Sequence, residues 1–88
     1  MPARGPEVYD MNKPVAVDCL FDPDGRVRVR RVQIDDQWLP VEQGRQWYDE
    51  NGRHVLIMRP DDEVQEILLS PRSLQWELVP RRTASQVI

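Results

Sequence analysis

The chain has 88 residues, of which 40% are hydrophobic and 31% charged, and its formal net charge is −3. A chain of this length holds one small domain, and no apolar run approaches the about 20 residues that a membrane span requires. One cysteine and one histidine exclude an internal disulfide and the usual zinc sites. We therefore expect a cytoplasmic protein with no metal, no cofactor and no membrane contact.

The first predicted elements are a flexible arm and a hairpin. Residues 1 to 13 mix proline, glycine and scattered charges without periodicity, which predicts an arm that buries no face. Apolar residues then alternate from Val15 to Phe21, as in a half-buried strand. The sequence Asp-Pro-Asp-Gly at 22 to 25 predicts a tight turn, because proline presets φ and glycine accepts a positive φ.

The return strand, residues 25 to 34, interrupts its own period-2 pattern. Its apolar residues fall into two pairs of opposite parity, Val27 with Val29 and Val32 with Ile34. One inserted residue near Arg30 would bring all four side chains to the same side of the sheet. The pattern therefore predicts a β-bulge or a barrel corner at this point, with Arg26, Arg28 and one of Arg30 and Arg31 pointing outward together.

Short strands and polar turns occupy the middle of the chain. Proline restricts the stretch Trp38 to Val41 to a sheet edge or a strand end, and residues 42 to 44 predict a turn. Arg45 to Tyr48 is typical of an aromatic strand, and Asn51-Gly52 of the hairpin turn after it. His54 to Met58 carries apolar residues on both faces, which predicts a strand in the interior.

The last predicted strands are less uniform. Residues 61 to 70 fit either a helix or a buried strand, and the short distance between Pro60 and Pro71 favours the strand. Leu74, Trp76 and Leu78 then alternate with polar residues and predict a final strand that Pro80 ends.

These elements predict an all-β fold, a small antiparallel barrel or roll of six to seven short strands. The domain would span residues 14 to 80, with flexible tails at 1 to 13 and 81 to 88. A two-layer sandwich remains open as an alternative, because strand pattern alone does not separate it from a barrel.

The residues that could support catalysis have simpler structural explanations. His54 is the only conventional base and belongs to a mostly apolar strand, so we expect a structural, partly buried histidine. Cys19 shares the apolar face of its strand, so we expect an inert core thiol. The paired carboxylates all fall in predicted turns, where acidic residues serve local hydrogen bonding. The sequence therefore predicts that the protein is not an enzyme.

Basic residues concentrate in the middle of the chain, where residues 26 to 59 hold seven arginines against five acids. Small β-domains bind nucleic acid through arginine contacts to phosphate and through bases stacked on aromatic rings. The competing interpretation is a solvated strand face paired to nearby acids, with the tryptophans in the core. The candidate binding residues are Arg26, Arg28, Arg30, Arg31, Trp38, Arg45, Trp47, Tyr48 and Arg53.

Several short motifs resemble a small uncharacterised bacterial β-domain that occurs alone or appended to Y-family DNA polymerase-like repair proteins. They are the run Arg31 to Trp38, the strand Arg45-Gln46-Trp47-Tyr48, Gly52 and the closing Trp76-Glu77-Leu78. This chain differs in having Leu39-Pro40 after Trp38, where a further aromatic residue is usual. The resemblance implies a repair-associated accessory module without known catalytic residues.

Two classes of function therefore remain open. The first is a non-catalytic binding module whose partner is nucleic acid or a DNA-repair protein. The second is a structural or assembly domain that self-associates or docks on a protein partner. For the isolated chain we expect a monomer or a weak homodimer.

Overall fold

The computed structural model describes residues 12 to 80, which form eight strands and no helix. The strands are β1 (Lys13–Pro14), β2 (Ala16–Phe21), β3 (Val27–Ile34), β4 (Gln37–Pro40), β5 (Glu42–Asp49), β6 (Gly52–Met58), β7 (Val64–Leu69) and β8 (Trp76–Val79). The predicted tail at 81 to 88 and most of the predicted arm lie outside the described residues. Lys13, assigned to the arm, instead pairs with Leu78. Within residues 12 to 80, no helix is long and apolar enough to cross a membrane.

The strands form two antiparallel sheets. One has five strands in the order β1-β8-β7-β6-β5, and the other has three in the order β2-β3-β4. The chain passes between the sheets at Val15 and again at Val41. At each crossing the backbone stays bonded, since Val15 N donates to Trp76 O at 2.9 Å and Val41 N to Arg30 O at 3.1 Å. The two sheets are therefore joined at two corners.

The prediction of an all-β antiparallel fold is confirmed, but of the predicted barrel or roll the structure shows no closed barrel, and residues 12 to 80 form eight strands rather than six to seven. Closure would require a backbone ladder between β3 and β5, and the two strands share none. Two glutamine side chains of β5 fill this position instead. Gln43 and Gln46 accept hydrogen bonds from the backbone N–H groups of Val29 and Val27, and both donate to the carbonyl oxygen of Val27.

The core lies between the two sheets, and the predicted bulge orients β3 toward it. Asp18 pairs with Arg31 while Cys19 pairs with Val29, so Arg30 is the extra residue. The bulge prediction is confirmed, because Val27, Val29 and Val32 are all buried in one cluster. The five-stranded sheet contributes the other buried members, which are Val55, Ile57, Ile67 and Trp76.

Most turns follow their predicted chemistry. In the turn after β2, Gly25 has a φ of 89° and donates its N–H to Asp22 O at 2.8 Å. Two predictions about turns are wrong. Residues 42 to 44 belong to β5 rather than to a turn, because the chain stays paired to β6 on either side of a bulge. Leu74 lies in a turn with a φ of 59° and is 74% exposed, so the last strand begins only at Trp76.

The ambiguous segment at 61 to 70 contains a strand, as its length favours. β7 covers residues 64 to 69 and pairs with β6 on one side and β8 on the other. β6, predicted in the interior from its two apolar faces, lies between β5 and β7. Both predictions are confirmed.

Candidate functional site

The nine predicted binding residues do not share one face of the molecule. Strand parity divides them, because neighbouring residues of a strand point to opposite sides of a sheet. Arg28, Arg30, Arg31 and Trp38 are exposed on the three-stranded sheet, while the valines of β3 fill the core. Trp47 pairs with His54 on the outer face of the five-stranded sheet, opposite to the buried Val55.

Three of the remaining predicted residues, Arg26, Tyr48 and Arg53, lie at one end of the molecule. Arg26 follows the turn after β2, and the Arg53 guanidinium reaches the same turn, where Nη2 donates to Gly25 O at 3.0 Å. Arg53 also lies over the Tyr48 ring, 5.5 Å from its centroid. Arg45 lies with Trp47 on the outer face of the five-stranded sheet, with its guanidinium carbon 5.3 Å from the centroid of the Trp47 ring.

We call the exposed group Arg28, Arg30, Arg31 and Trp38 the arginine face. Cross-strand ion pairs hold two of its guanidinium groups: Arg31 Nε lies 3.0 Å from Asp18 Oδ2, and Arg28 Nε lies 3.3 Å from Asp22 Oδ2. The Arg31 guanidinium also lies over the Trp38 ring, 5.1 Å from the ring centroid, and Trp38 is still 43% exposed.

Two arginines on or beside this face have no carboxylate partner in the part of the chain that the structure describes. Arg30 projects from the bulge, and Arg26 precedes β3 by one residue; both are exposed, and neither forms an ion pair within residues 12 to 80. These two guanidinium groups are therefore the ones most available to an anionic ligand.

A second polar cluster, which sequence reasoning missed, surrounds His54 on the outer face of the five-stranded sheet. His54 is only 7% exposed and stacks on Trp47, with ring centroids 4.9 Å apart and planes 2° apart. Its Nδ1 lies 2.6 Å from Glu66 Oε2, and its Nε2 lies 2.8 Å from Asp49 Oδ1. Both ring nitrogens are therefore occupied by carboxylates.

These contacts change the acidity of the groups involved. Burial is the largest influence on the pKa of His54 and lowers it, but hydrogen bonds and charge from Glu66 and Asp49 outweigh burial and raise that pKa overall. The His54 hydrogen bond, followed by the backbone N–H of Asn51, lowers the pKa of Asp49. The cluster thus favours the imidazolium form of His54 and the ionised form of Asp49.

The other titratable candidates behave as structural groups. Cys19 packs half-buried against the core, and burial raises the pKa of its thiol, which disfavours the reactive thiolate. The turn carboxylates Asp24 and Asp61 bond locally, each accepting from the backbone N–H two residues later, and Asp49 at the end of β5 does the same in addition to its contact with His54. Within residues 12 to 80, no group of three or more possible ligand side chains gathers to hold a metal ion.

Sequence reasoning also missed the two glutamines that join β3 to β5. Gln46 carried one usable signal. It is a polar residue that alternates with Trp47 along the strand, so its side chain is on the face that points to the core. Gln43 carried none, since the bulge at residues 44 and 45 conceals its parity. The partners of His54 were also invisible, because they come from the neighbouring strands β5 and β7.

Comparisons with known proteins bear on the predicted family as well. The resemblance to the repair-associated β-domain stays a prediction that no comparison supports. No protein-family model matches this chain, and no similar curated protein or solved structure was found for it.

Proposed function

We propose that this protein is a non-catalytic binding module that holds single-stranded nucleic acid on its arginine face. The observation that carries the proposal is the exposed Trp38 ring under the Arg31 guanidinium, on a sheet where Arg30 is also exposed and forms no ion pair within residues 12 to 80. Phosphate contacts and base stacking are the two interactions by which single strands are bound without sequence preference.

The local charge supports an anionic ligand although the whole chain is acidic. Along β3 and its preceding turn, four guanidinium groups face three carboxylates: Asp18 and Asp22 belong to ion pairs, and Asp24 accepts from the backbone N–H of Arg26. A phosphate can therefore reach Arg26 and Arg30 without displacing an internal partner. Arg28 and Arg31 can also donate to a phosphate through their remaining N–H groups, since each binds its carboxylate through Nε.

The aromatic part of the site favours a single strand over a duplex. The Trp38 ring is accessible only to an unpaired base, and a base stacked on it would contribute about 1 to 3 kcal/mol. Arg31 already lies over that ring, so a base would either replace the guanidinium or stack on its outer surface. A duplex presents no open base face to such a site.

The absence of catalysis is part of the proposal and is supported by the His54 cluster. Both imidazole nitrogens are bonded to carboxylates, so the ring cannot accept a proton from a substrate without first losing a partner. The Cys19 thiol is half-buried and protonated, which disfavours nucleophilic attack.

The test is a fluorescence anisotropy titration of labelled single-stranded and duplex oligonucleotides at two salt concentrations. If two arginines neutralise phosphates, the affinity for single strands should fall about sevenfold between 50 and 200 mM salt, and about fiftyfold if all four do. We expect weaker binding to duplex DNA under both conditions.

Two matched variants distinguish binding at this site from nonspecific electrostatic attraction. The double variant Arg26→Gln and Arg30→Gln should weaken binding and flatten its salt dependence, whereas Arg72→Gln should do neither, because Arg72 is exposed in the turn after β7. Circular dichroism would verify that both variants keep the fold. No binding at 50 mM salt, or equal loss in both variants, would contradict the proposal.

A second candidate is an acidic protein segment, and the ion pairs of the arginine face favour it. Asp18 and Asp22 show that carboxylates satisfy Arg31 and Arg28 in this geometry, so carboxylates of a partner protein can do the same. A repair protein with an acidic segment would fit this description. Displacement of bound oligonucleotide by a poly-glutamate peptide, but not by a neutral peptide, would support this candidate.

A further inference from the structure

The strand β2 forms one edge of the three-stranded sheet, and part of its backbone faces away from β3. Opposite residues in an antiparallel pair alternate between bonded and non-bonded pairs. Val27 and Val29 direct their backbone groups toward Gln43 and Gln46, so Phe21 and Cys19, which lie opposite them, direct theirs to the open edge. Within residues 12 to 80, no second strand pairs with β2 on that side.

Within residues 12 to 80, this edge carries few of the features that usually protect an edge strand. Ala16–Phe21 contains no lysine, no proline and no bulge of its own, and its one charge, Asp18, is bound to Arg31. Leu20 and Phe21 are each 54% exposed. An open strand with exposed apolar residues at its end is a template for pairing with another strand.

We propose that β2 pairs antiparallel with β2 of a second copy of this chain, with the twofold axis at Leu20. In this register Leu20 lies opposite Leu20 of the partner subunit, and Cys19 lies opposite the partner's Phe21. The outward N–H and C=O groups of Cys19 and Phe21 then bond to those of the partner's Phe21 and the partner's Cys19. The interface does not depend on the proposed nucleic-acid ligand.

Two other registers are less favourable, one because of its side chains and the other because of its backbone groups. An axis at Cys19 places Leu20 against the partner's Asp18, which sets an apolar side chain beside a charge. An axis at Phe21 places Cys19 against the partner's Pro23, which has no N–H to donate. The register at Leu20 places Asp18 opposite the partner's Asp22, and each of these carboxylates already has an arginine partner.

The paired edges would build one six-stranded sheet in the order β4-β3-β2-β2-β3-β4. A twofold axis perpendicular to that sheet keeps the two arginine faces on the same side. Because neighbouring strands lie about 4.8 Å apart, the two β3 strands would be separated by about 14 Å. The dimer would therefore present two arginine faces to one partner.

Sedimentation of the full chain tests whether the dimer exists. We expect concentration-dependent dimerisation between about 5 and 500 µM, which Leu20→Arg abolishes because it places two charges face to face at the axis. Leu74→Arg is the matched control: Leu74 is also exposed but lies outside β2, so this variant should dimerise like the wild type.

Disulfide formation tests the register. Opposite residues of a bonded pair have Cα atoms about 5.5 Å apart, within the range that a disulfide spans. Under mild oxidation Phe21→Cys should form covalent dimers through the partner's Cys19, whereas the wild type should not, because its Cys19 lies opposite phenylalanine.

Three results would overturn the proposal. One is a strict monomer at about 500 µM. Coverage of the β2 edge by residues 1 to 11 or 81 to 88 of the same chain would give this result. Another is a dimer that Leu20→Arg leaves intact. The third is covalent dimerisation of the wild type through Cys19, which would place the axis elsewhere. All three measurements are made without nucleic acid, so failure here is separate from failure of the proposed function.

Discussion

At the scale of single residues, His54 lies between two carboxylates that can only accept hydrogen bonds. A neutral imidazole has one donor and one acceptor, so it cannot donate to Glu66 and Asp49 at the same time. Protonation supplies the second donor, which is why the pKa of His54 is raised although the ring is buried. When protonated, His54 therefore links β5, β6 and β7 by donating to a carboxylate on each neighbouring strand.

The stability of the protein should depend on pH through this cluster. The raised pKa of His54 means that its contribution is complete below the ordinary value of 6.5 and is lost as the pH rises through the folded value. Urea denaturation should show His54→Gln less stable than the wild type by about 2 kcal/mol near pH 5.5, with a smaller difference at pH 8.5. A difference that stays constant with pH would contradict this assignment.

The loss of stability at acidic pH reports on Asp49. Its pKa is lowered, so its contribution is present above the ordinary value of 3.8 and is lost as the pH falls through the folded value. In Asp49→Asn this acid loss should be smaller than in the wild type. Arg72→Gln, outside the cluster, should keep the wild-type pH profile.

At the scale of elements, the β5–β6 hairpin depends on the absence of a side chain at Gly52. Its φ is 133°, and a Cβ there would overlap the carbonyl oxygen of Leu69 on β7 and crowd Pro71. We expect Gly52→Ala to reduce the free energy of unfolding by about 3 kcal/mol or more. Chemical denaturation measures this loss.

Gly44 provides the matched control for that substitution. A Cβ at Gly44 would lie 3.6 Å from the carbonyl oxygen of Leu56, which is ordinary van der Waals contact. Gly44→Ala should therefore change stability by less than about 1 kcal/mol. Equal effects at the two glycines would show that close approach to β7 is not the cause.

The junction between β3 and β5 rests on side-chain amides. In Gln43→Leu the buried N–H of Val29 loses its acceptor, which should cost about 1 to 3 kcal/mol. Gln46→Leu should cost a similar amount through the N–H of Val27. Hydrogen exchange at these two amides should accelerate in the corresponding variant, whereas Gln75→Leu, at an exposed position, should leave both rates unchanged.

At the scale of the whole molecule, the sequence pattern predicted those features that depend only on residues close together in the chain. The turn at Asp22 to Gly25 needs only the conformational preferences of proline and glycine, and the bulge at Arg30 follows from the parity of four apolar residues. Leu74 shows the limit of parity, because its apparent alternation continues into a turn where φ is 59°.

The division of the binding residues had no local signal. Arg31 and Arg45 are both exposed arginines beside tryptophans, yet the chain changes sheets at Val41, so the two pairs lie on different sheets. Along the sequence, these basic and aromatic residues form one cluster. The structure separates it into the arginine face, the end near Gly25 and the outer face around Trp47.

By itself, the sequence determined the strand-rich fold, most of the turns, the bulge in β3 and the chemical types available for binding. These follow from side-chain periodicity and backbone preferences, which act over a few residues. Only the tertiary structure decided that the sheets stay open, that Gln43 and Gln46 join them, and that His54 meets Asp49 and Glu66. Those outcomes depend on which strands become neighbours, and strand pairing brings together residues whose separation along the chain carries no periodic signal.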